Sequence, residues 1–264
     1  MSDPDGSGRM TLTVIGCSGS YPGPDSTASC YLLEAPDPEE PTRRWRILLD
    51  LGSGALGALQ RHVDPLTIDA VLISHLHPDH FFDLSGFYVL RKYHPTGAQA
   101  RIPIWGPRGT KSRVARAYGL PKDPGMTAEF EFHRLRKRPV QVGPFTVQAR
   151  RVDHPVEAYA FRVECAGGAL VYTGDTARTD TLVELASGAD LLLAEAAFRD
   201  DEDNPPHVHM TGSEAAATAL EAGVRTLVLT HIPPWHDKKA ALSEANAVFD
   251  GPCHLAAEGA TFPL

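Results

Sequence analysis

The sequence predicts an α/β fold in which two mixed β-sheets pack face to face and helices cover both outer faces. Three observations predict it: short apolar runs of strand length recur along the chain, helical patterns fall between groups of these runs, and no Pro/Ser-rich linker divides them. A chain of 264 residues can also bury a large core. We therefore expect a flexible tail over residues 1–9 and a single domain over residues 10–264.

Apolar runs bounded by Gly, Pro and Asp turns are typical of short β-strands. The Pro-rich, acidic stretch Ala35–Thr42 is predicted to be an exposed hairpin loop, because a strand follows it immediately. The predicted strands are Thr11–Ile15, Ser29–Glu34, Arg46–Leu49, Ala70–Ser74, Ile102–Trp105, Phe145–Val152, Tyr159–Cys165, Ala169–Thr173, Leu191–Glu195, Thr226–Thr230 and Cys253–Ala256.

Helical periodicity occurs in six segments. The fifth is the best marked, since Thr211 and Glu214 form a capping-box pattern at its start and Gly223 follows its end. The predicted helices are Ala55–Arg61, Phe82–Tyr93, Thr110–Tyr118, Thr179–Ala186, Ser213–Ala222 and Lys239–Phe249.

Composition limits the functional classes. A formal net charge of −8 provides no global field that would draw the protein onto nucleic acid, and no apolar run is long enough to span a membrane. The N-terminus lacks the apolar stretch of a secretory signal, and the four cysteines are scattered without metal-type pairs. We expect a cytoplasmic protein with reduced thiols.

The segment Val71–His80, VLISHLHPDH, is an apolar strand that ends abruptly in three histidines and an aspartate. Imidazole and carboxylate groups at a strand-to-loop junction can converge on neighbouring metal ions. A chance cluster is conceivable in a chain with twelve histidines. Four further metal-capable residues argue against chance, since each follows a short apolar strand: Asp50, His154, Asp175 and His231.

Five motifs together resemble those of the metallo-β-lactamase superfamily, and the resemblance covers nearly the whole chain from Met10 onward. They are, in order, LLDLGSGA from Leu48, SHLHPDH from Ser74, DHP from Asp153, YTGDT from Tyr172 and LTHIPPW from Leu229. The resemblance implies an αββα sandwich whose metal site lies at one edge, between the two sheets.

Carried over by position, the resemblance implies two metal ions. His75, His77 and His154 would bind one of them, and Asp175 would bridge the pair. Asp79, which we also count as catalytic, would bind the second ion together with His80 and His231. Asp50 would hydrogen-bond the histidine loop. His-rich sites favour zinc, while mixed His/carboxylate sites also accept manganese or iron.

Two further segments resemble the ribonuclease Z and ElaC-like phosphodiesterase branch. They are LLLAEAAF (Leu191–Phe198) and PHVHMTGSE (Pro206–Glu214). On that match Glu195 and His209 form a catalytic pair, in which His209 protonates a leaving alkoxide. The alternative is that Glu195 is a strand-end charge and His209 a residue beside a helix start. We expect His207 to be exposed.

The substrate prediction depends on a missing segment. Transfer-RNA-processing members carry a long basic arm between the third-motif histidine and the bridging aspartate, but here only twenty residues separate His154 from Asp175. Gly16–Ser29, Tyr93–Pro95 and the LTHIPPW motif resemble actinobacterial proteins described as atypical cyclic nucleotide phosphodiesterases. We therefore expect a small phosphodiester substrate such as cAMP or cGMP, and no long RNA or membrane partner.

Two alternatives remain from the sequence: a ribonuclease Z-like RNA 3′-processing nuclease, and a non-catalytic binding protein on the same fold. Thioester or lactone hydrolysis is permitted by the metal motifs alone. The apolar face of Phe81–Tyr93 would suit a homodimer, and core packing explains it equally well. Candidates for contacting a nucleotide are Tyr21, Arg91, Tyr93, Arg150, Arg151, Trp235 and His236.

Overall fold

Two mixed β-sheets pack face to face with helices outside, as the sequence predicts, in a computed structural model that describes residues 9–40 and 42–264. Residues 1–8 of the predicted tail lie outside the described residues. The strands are β1 (Thr11–Ser18), β2 (Thr27–Ala28), β3 (Cys30–Pro36), β4 (Arg44–Leu49), β5 (Ala70–Leu72), β6 (Ile102–Gly106), β7 (Phe130–Arg134), β8 (Val140–Val142), β9 (Phe145–Arg151), β10 (Tyr159–Cys165), β11 (Gly168–Tyr172), β12 (Leu191–Glu195), β13 (Thr226–Thr230), β14 (Cys253–Leu255) and β15 (Thr261–Pro263).

The helices are short, because each only has to cover one outer face of a sheet. Among the described residues, no helix is both long and apolar enough to cross a membrane. The helices are α1 (Ala55–Leu59), α2 (Pro78–Phe81), α3 (Leu84–Tyr93), α4 (Thr110–Ala117), α5 (Asp180–Ala186), α6 (Gly212–Glu221) and α7 (Lys238–Asn246).

The first sheet has the strand order β15-β1-β3-β4-β5-β6-β7, with β2 paired to β1. The second has the order β14-β13-β12-β11-β10-β9-β8. In the first sheet β4 to β7 run parallel, and in the second β11 to β14 do. Parallel strands end at the same edge of a sheet, so the loops that follow them are gathered there.

The space between the sheets holds the central core, with the aromatic residues Tyr31, Phe145, Phe161 and Tyr172 fully buried in it. A second apolar cluster lies under α5, α6 and α7, and a third lies under α1, α3 and α4. Phe81, Leu84, Phe87 and Tyr88 belong to the third cluster. Packing in the third cluster therefore accounts for the apolar face of Phe81–Tyr93, which the sequence also makes a candidate dimer surface.

All eleven predicted strands and all six predicted helices are present. The sequence missed β2, β7, β8 and β15, which are short or lie at sheet edges and therefore carry weak apolar alternation. It also missed α2, because the sequence indicates an irregular loop after β5. Pro78 occupies the first helical turn, where its missing N–H costs nothing. The capping box of Thr211 and Glu214 is confirmed at α6.

The segment Ala35–Thr42 connects two antiparallel strands, and Pro36 pairs with Arg44 at its neck. Pro41 within it lies outside the described residues. The prediction of a hairpin loop is therefore confirmed for residues 37–40 and 42, whereas Ala35 and Pro36 still belong to β3 and Ala35 is buried. All four cysteines are free, as expected of reduced thiols.

Candidate metal centre

The metal-capable residues follow strand ends at one edge of the sandwich. Asp50 follows β4, and the histidine loop from His75 follows β5. On the second sheet, His154, Asp175 and His231 come just after β9, β11 and β13 respectively. Residues far apart in sequence thereby meet between the two sheets, where the sequence places them.

A first cluster consists of His75, His77, His154 and Asp175, whose candidate ligand atoms all lie within 4.8 Å of one another. His75 Nε2 lies 3.0 Å from His77 Nδ1, which in turn lies 3.2 Å from His154 Nε2. Asp175 Oδ2 is 3.6 Å from His75 Nε2. Three imidazole nitrogens and a carboxylate oxygen therefore face one point.

A second cluster consists of Asp79, His80, Asp175 and His231. His231 Nε2 lies 3.2 Å from His80 Nε2 and 3.2 Å from Asp79 Oδ2. His80 Nε2 lies 3.2 Å from Asp175 Oδ1. Asp175 belongs to both clusters, with Oδ2 towards the first and Oδ1 towards the second.

The outward hydrogen bonds of the histidines suit them to metal binding. His154 Nδ1 donates to the carbonyl oxygen of Val208 (2.8 Å), and His80 Nδ1 donates to Asp50 Oδ2 (2.7 Å). When Nδ1 carries the proton, Nε2 presents a lone pair to the cluster. Asp175 Oδ1 is buried without a hydrogen bond. An orphaned carboxylate oxygen among converging lone pairs is a fitting environment for a divalent cation.

The electrostatics of the two clusters differ. Burial, followed by neighbouring imidazoles, holds the pKa of His75 well below its usual range, and burial also lowers the pKa of His77 and His154. These histidines are therefore neutral, which is the form in which an imidazole can bind a metal ion. Burial alone would lower the pKa of His80 as well, but surrounding carboxylates, foremost Asp175, raise it. The second cluster thus carries the negative charge that a cation would neutralise.

Asp50 links the histidine loop to both sheets. Its Oδ1 accepts from the backbone N–H of Ser74 (2.7 Å), and its Oδ2 accepts from Ser74 Oγ (2.7 Å) and Tyr172 Oη (2.7 Å) as well as from His80. His75 Nδ1 lies 3.1 Å from the same Ser74 hydroxyl. Asp50 therefore makes the contact to the histidine loop that the resemblance implies, and it orients His80 directly and His75 through Ser74.

The backbone around the clusters is conformationally demanding. Asp50 and His231 have φ of 61° and 55°, in the left-handed region that ordinary residues rarely adopt. At Gly52 an added Cβ would lie 1.8 Å from the carbonyl oxygen of Asp79, so only glycine lets the β4 loop approach the metal loop. These constraints fix where the clusters lie relative to each other.

Glu195 and His209 form a hydrogen-bonded pair beside the second cluster. His209 Nδ1 lies 2.8 Å from Glu195 Oε1, and both residues lie within reach of His231. Burial would lower the pKa of His209, but the charge of Glu195 raises it to about 9. The same carboxylate accepts the backbone N–H of Thr176 (2.7 Å) next to Asp175. Glu195 therefore couples His209 to the loop of the shared aspartate.

Sequence reasoning missed three groups that position the site. Ser74 and Tyr172 hold Asp50, and the Val208 carbonyl holds His154. Tyr172 and Ser74 belong to the motifs YTGDT and SHLHPDH. The sequence therefore places them near the site, but it does not predict their hydrogen bonds to Asp50. His207 is exposed as expected, and its Nδ1 lies 2.6 Å from Asp153 Oδ2.

Four of the nucleotide-contact candidates separate into two pairs. Tyr21 and Trp235 lie together, with ring centroids 5.5 Å apart, in loops joined by a hydrogen bond from Gly19 N to the carbonyl of Ile232. Arg91 and Tyr93 lie instead in the last turn of α3, away from the metal loop that precedes this helix. Tyr21 and Trp235 therefore lie beside the site, whereas Arg91 and Tyr93 do not.

Replacing Asp50 with Asn is expected to weaken metal binding about 10- to 100-fold, because the hydrogen-bonding partner of a ligating histidine sets its orientation and basicity. The measurement is competition for the metal against a coloured chelator. Asp64→Asn is the matched control, since Asp64 caps an isolated 3₁₀ turn at Pro65–Thr67. Unchanged metal affinity in Asp50→Asn would contradict the role assigned to this carboxylate.

Comparisons with known proteins agree with this geometry. Residues 45–232 match the family model described as beta-lactamase superfamily domain. An uncharacterized protein of Mycobacterium leprae is 46% identical over 97% of this chain and 89% of its own length. Ribonuclease Z of Myxococcus xanthus is 29% identical over 97% of this chain and 98% of its own.

The solved structures include the metallo-β-lactamase fold protein YhfI from Bacillus subtilis. Its TM-score is 0.85, with 29% identity over 97% of this chain and 100% of that one. The match covers the two sheets, their flanking helices and the edge at which the histidine and aspartate clusters lie. This chain, with its paired clusters able to hold metal ions, therefore belongs to the metallo-β-lactamase superfamily.

Proposed function

We propose that this protein hydrolyses phosphodiesters, with 3′,5′-cyclic nucleotides such as cAMP as its main substrates, using two zinc ions. The observation that carries the proposal is the Glu195–His209 pair, at 2.8 Å, beside the two clusters. A phosphodiester has an alkoxide leaving group that needs a proton. A histidine held by a buried carboxylate can supply one.

Two divalent ions bound in the clusters would activate a water molecule as the nucleophile and offset the charge on the phosphate. One ion would be held by His75, His77 and His154. The other would be held by Asp79, His80 and His231, and Asp175 would contact both ions. Glu195 holds His209 through Nδ1, which leaves the second ring nitrogen to act. As the P–O3′ bond breaks, His209 gives its proton to the departing ribose oxygen.

The short connection between His154 and Asp175 supports a small substrate. Twelve of its twenty residues belong to β10 and β11, whose antiparallel pairing ends at Cys165 and Gly168. Only Ala166 and Gly167 remain for the turn between them. The other six residues form segments of four and two residues next to His154 and Asp175, which are too short for an arm that would grip a folded RNA.

Tyr21 and Trp235 support a nucleoside-containing substrate. Both are large aromatic side chains left exposed, at 47% and 59%. Trp235 comes four residues after His231, and the Tyr21 loop lies against the same segment through Gly19. An exposed aromatic pair at the margin of a metal site is suited to stacking on a base.

The proposal is tested by incubating purified, zinc-loaded protein with cAMP, cGMP, bis(p-nitrophenyl) phosphate and a precursor transfer RNA. We expect the cyclic nucleotides to be converted to 5′-monophosphates and the transfer RNA to remain intact. Efficient cleavage of the transfer RNA without turnover of either cyclic nucleotide would overturn the proposal.

Trp235→Ala is expected to raise KM for cAMP roughly tenfold while kcat changes little, because stacking on one base contributes about 1–3 kcal/mol. Steady-state kinetics on both proteins provide the measurement. Tyr93→Ala is the control, since Tyr93 is equally exposed but lies at the far end of α3. Equal KM values in wild type and Trp235→Ala would argue against the stacking role.

One observation favours the second candidate function, an RNA-processing nuclease. A basic flank surrounds the His154 side of the site, where β7 and β9 end. Among the described residues, Glu157 is the one carboxylate within 4 Å of its cationic groups, at 3.6 Å from Arg134. The basic flank consists of Arg108, Arg134, Arg136, Lys137, Arg138, Arg150 and Arg151.

A chain of hydrogen bonds connects this basic flank to the histidine loop. The backbone N–H of Arg108 donates to Glu157 (3.2 Å), which also accepts from Tyr159 Oη (2.8 Å). Tyr159 N in turn donates to the carbonyl of Ser74 (3.1 Å), next to His75. Such a surface can attract a phosphate backbone despite the acidic net charge. If RNA is the substrate, alanine at Arg136, Lys137 and Arg138 should reduce RNA cleavage while sparing bis(p-nitrophenyl) phosphate.

A further inference from the structure

A cavity of about 930 Å³ lies at the edge of the first sheet opposite the metal centre. Its walls include residues 42–46 at the start of β4, 66–69 ahead of β5 and 99–103 at the start of β6, and the cavity extends along β6 and β7 to Trp105 and His133. The metal-capable residues instead follow the ends of these strands. The cavity and the metal centre are therefore separate places in the fold.

The walls of this cavity are rich in cations, although the chain as a whole is acidic. Only Asp69 and Glu131 supply negative charge to the wall, and Asp69 is paired with Arg43. From outside the wall, Glu34 pairs with Arg46 at 2.9 Å and with Arg44 at 3.8 Å, and Asp37 pairs with Arg43 at 2.7 Å. The cavity-lining arginines are Arg43, Arg44, Arg46, Arg91 and Arg101.

Arg91 is the unusual member of this set. It is only 3% exposed, and its Nη2 donates to the carbonyl of Ala100, but its Nε and Nη1 have no hydrogen-bond acceptor. Among the described residues, no carboxylate lies within salt-bridge distance of Arg91 or of the exposed Arg101. A buried guanidinium destabilises the fold unless an anion or good acceptors surround it. Burial accordingly lowers the pKa of Arg91.

A second buried donor lines the same cavity. Trp105, which stacks on His133 at 4.3 Å, has an indole N–H without an acceptor. The buried side-chain atoms of the cavity wall that lack a partner are thus all N–H donors. A ligand that complements this wall must bring acceptors, and it must bring negative charge.

We propose that this cavity is a binding site for a small phosphate-bearing ligand, with Arg91 and Arg101 as its principal cationic contacts. A phosphate group offers several acceptor oxygens and more than one negative charge, and it matches the planar fork of arginine. A single carboxylate would leave more of the donors unsatisfied. The site does not depend on the proposed hydrolysis, because it shares no residue with the metal centre.

The chain's three tryptophans allow this site to be observed separately. Trp45 and Trp105 line the cavity, and Trp235 lies near the metal centre. In metal-loaded Trp235→Phe protein, intrinsic fluorescence therefore reports on the cavity. We expect a saturable fluorescence change with sodium phosphate and with AMP, and none with adenosine at the same ionic strength. A larger affinity for AMP than for phosphate would identify an organic phosphate as the ligand.

Arg91→Met and Arg101→Ala, each in the same background, are expected to weaken phosphate binding at least tenfold. Arg116→Ala, on the exposed face of α4, should leave the affinity unchanged. Without ligand, Arg91→Met should melt at the same temperature as its parent or higher, since it removes a buried charge that lacks a partner. Turnover of bis(p-nitrophenyl) phosphate should be unaffected, which separates failure of this site from failure of the metal centre.

Three results would overturn the proposal: no saturable change with phosphate or AMP, equal affinity in parent and arginine variants, or a response to adenosine equal to that of AMP. If Arg91→Met fails to fold, Arg101→Ala decides the question, because Arg101 is exposed and its loss leaves the core intact.

Discussion

Asp175→Asn is expected to lower kcat for bis(p-nitrophenyl) phosphate by about a thousandfold or more and to reduce metal content below two ions per chain. Asp175 is the one residue shared by both clusters, and its two oxygens face different clusters. Asparagine keeps the shape but removes the charge and one acceptor oxygen. Since two ions contribute several kcal/mol of charge stabilisation in the transition state, losing one has a large kinetic effect.

The control for this variant is Asp180→Asn, an exposed aspartate in the first turn of α5. Circular dichroism and thermal melting would verify that both variants fold. If Asp175→Asn retained two ions and near-normal turnover, the shared carboxylate would not be a bridging ligand, and the two-ion interpretation of the clusters would be wrong.

His209→Ala is expected to lower kcat for cAMP by about 10² to 10⁴, the usual contribution of a positioned general acid. Turnover of bis(p-nitrophenyl) phosphate should fall only a few-fold, because nitrophenolate leaves without a proton. Metal content should remain intact, since His209 is held by Glu195 rather than being needed to complete either cluster. The ratio of the two losses isolates proton donation from general damage.

His207→Ala is the matched control for this experiment. His207 lies two residues away on the same loop and contacts Asp153 instead of Glu195. Glu195 itself is a poorer target, because it also accepts backbone N–H groups from Thr176 and Ala197. Equal losses on cAMP and on the nitrophenyl ester in His209→Ala would contradict the general-acid role.

The metal clusters were predictable from sequence because each member follows an apolar strand, and parallel strands deliver their ends to one edge. His75 and His231 are 156 positions apart, yet the strand pattern alone predicts that they share an edge. The hydrogen bonds of Asp50 were not predictable to the same extent. Tyr172 reaches Asp50 across the two sheets, and no local pattern records a contact between sheets.

Arg91 shows where local reasoning fails. Its helix begins just after the metal loop, so the sequence makes Arg91 a candidate for contacting the substrate. Seven residues of helix from Leu84 move the chain roughly 10 Å along the axis. Arg91 therefore lies at the opposite edge of the sheet, where its charge and missing acceptors indicate a different ligand.

The most direct test of the central claim is metal content measured together with turnover. Purified protein would be stripped with a chelator and titrated with zinc, while bound metal is counted by mass spectrometry and hydrolysis of bis(p-nitrophenyl) phosphate is followed. We expect stripped protein to be inactive and activity to return as the bound metal approaches two ions per chain. Undiminished hydrolysis by the metal-free protein would contradict the claim.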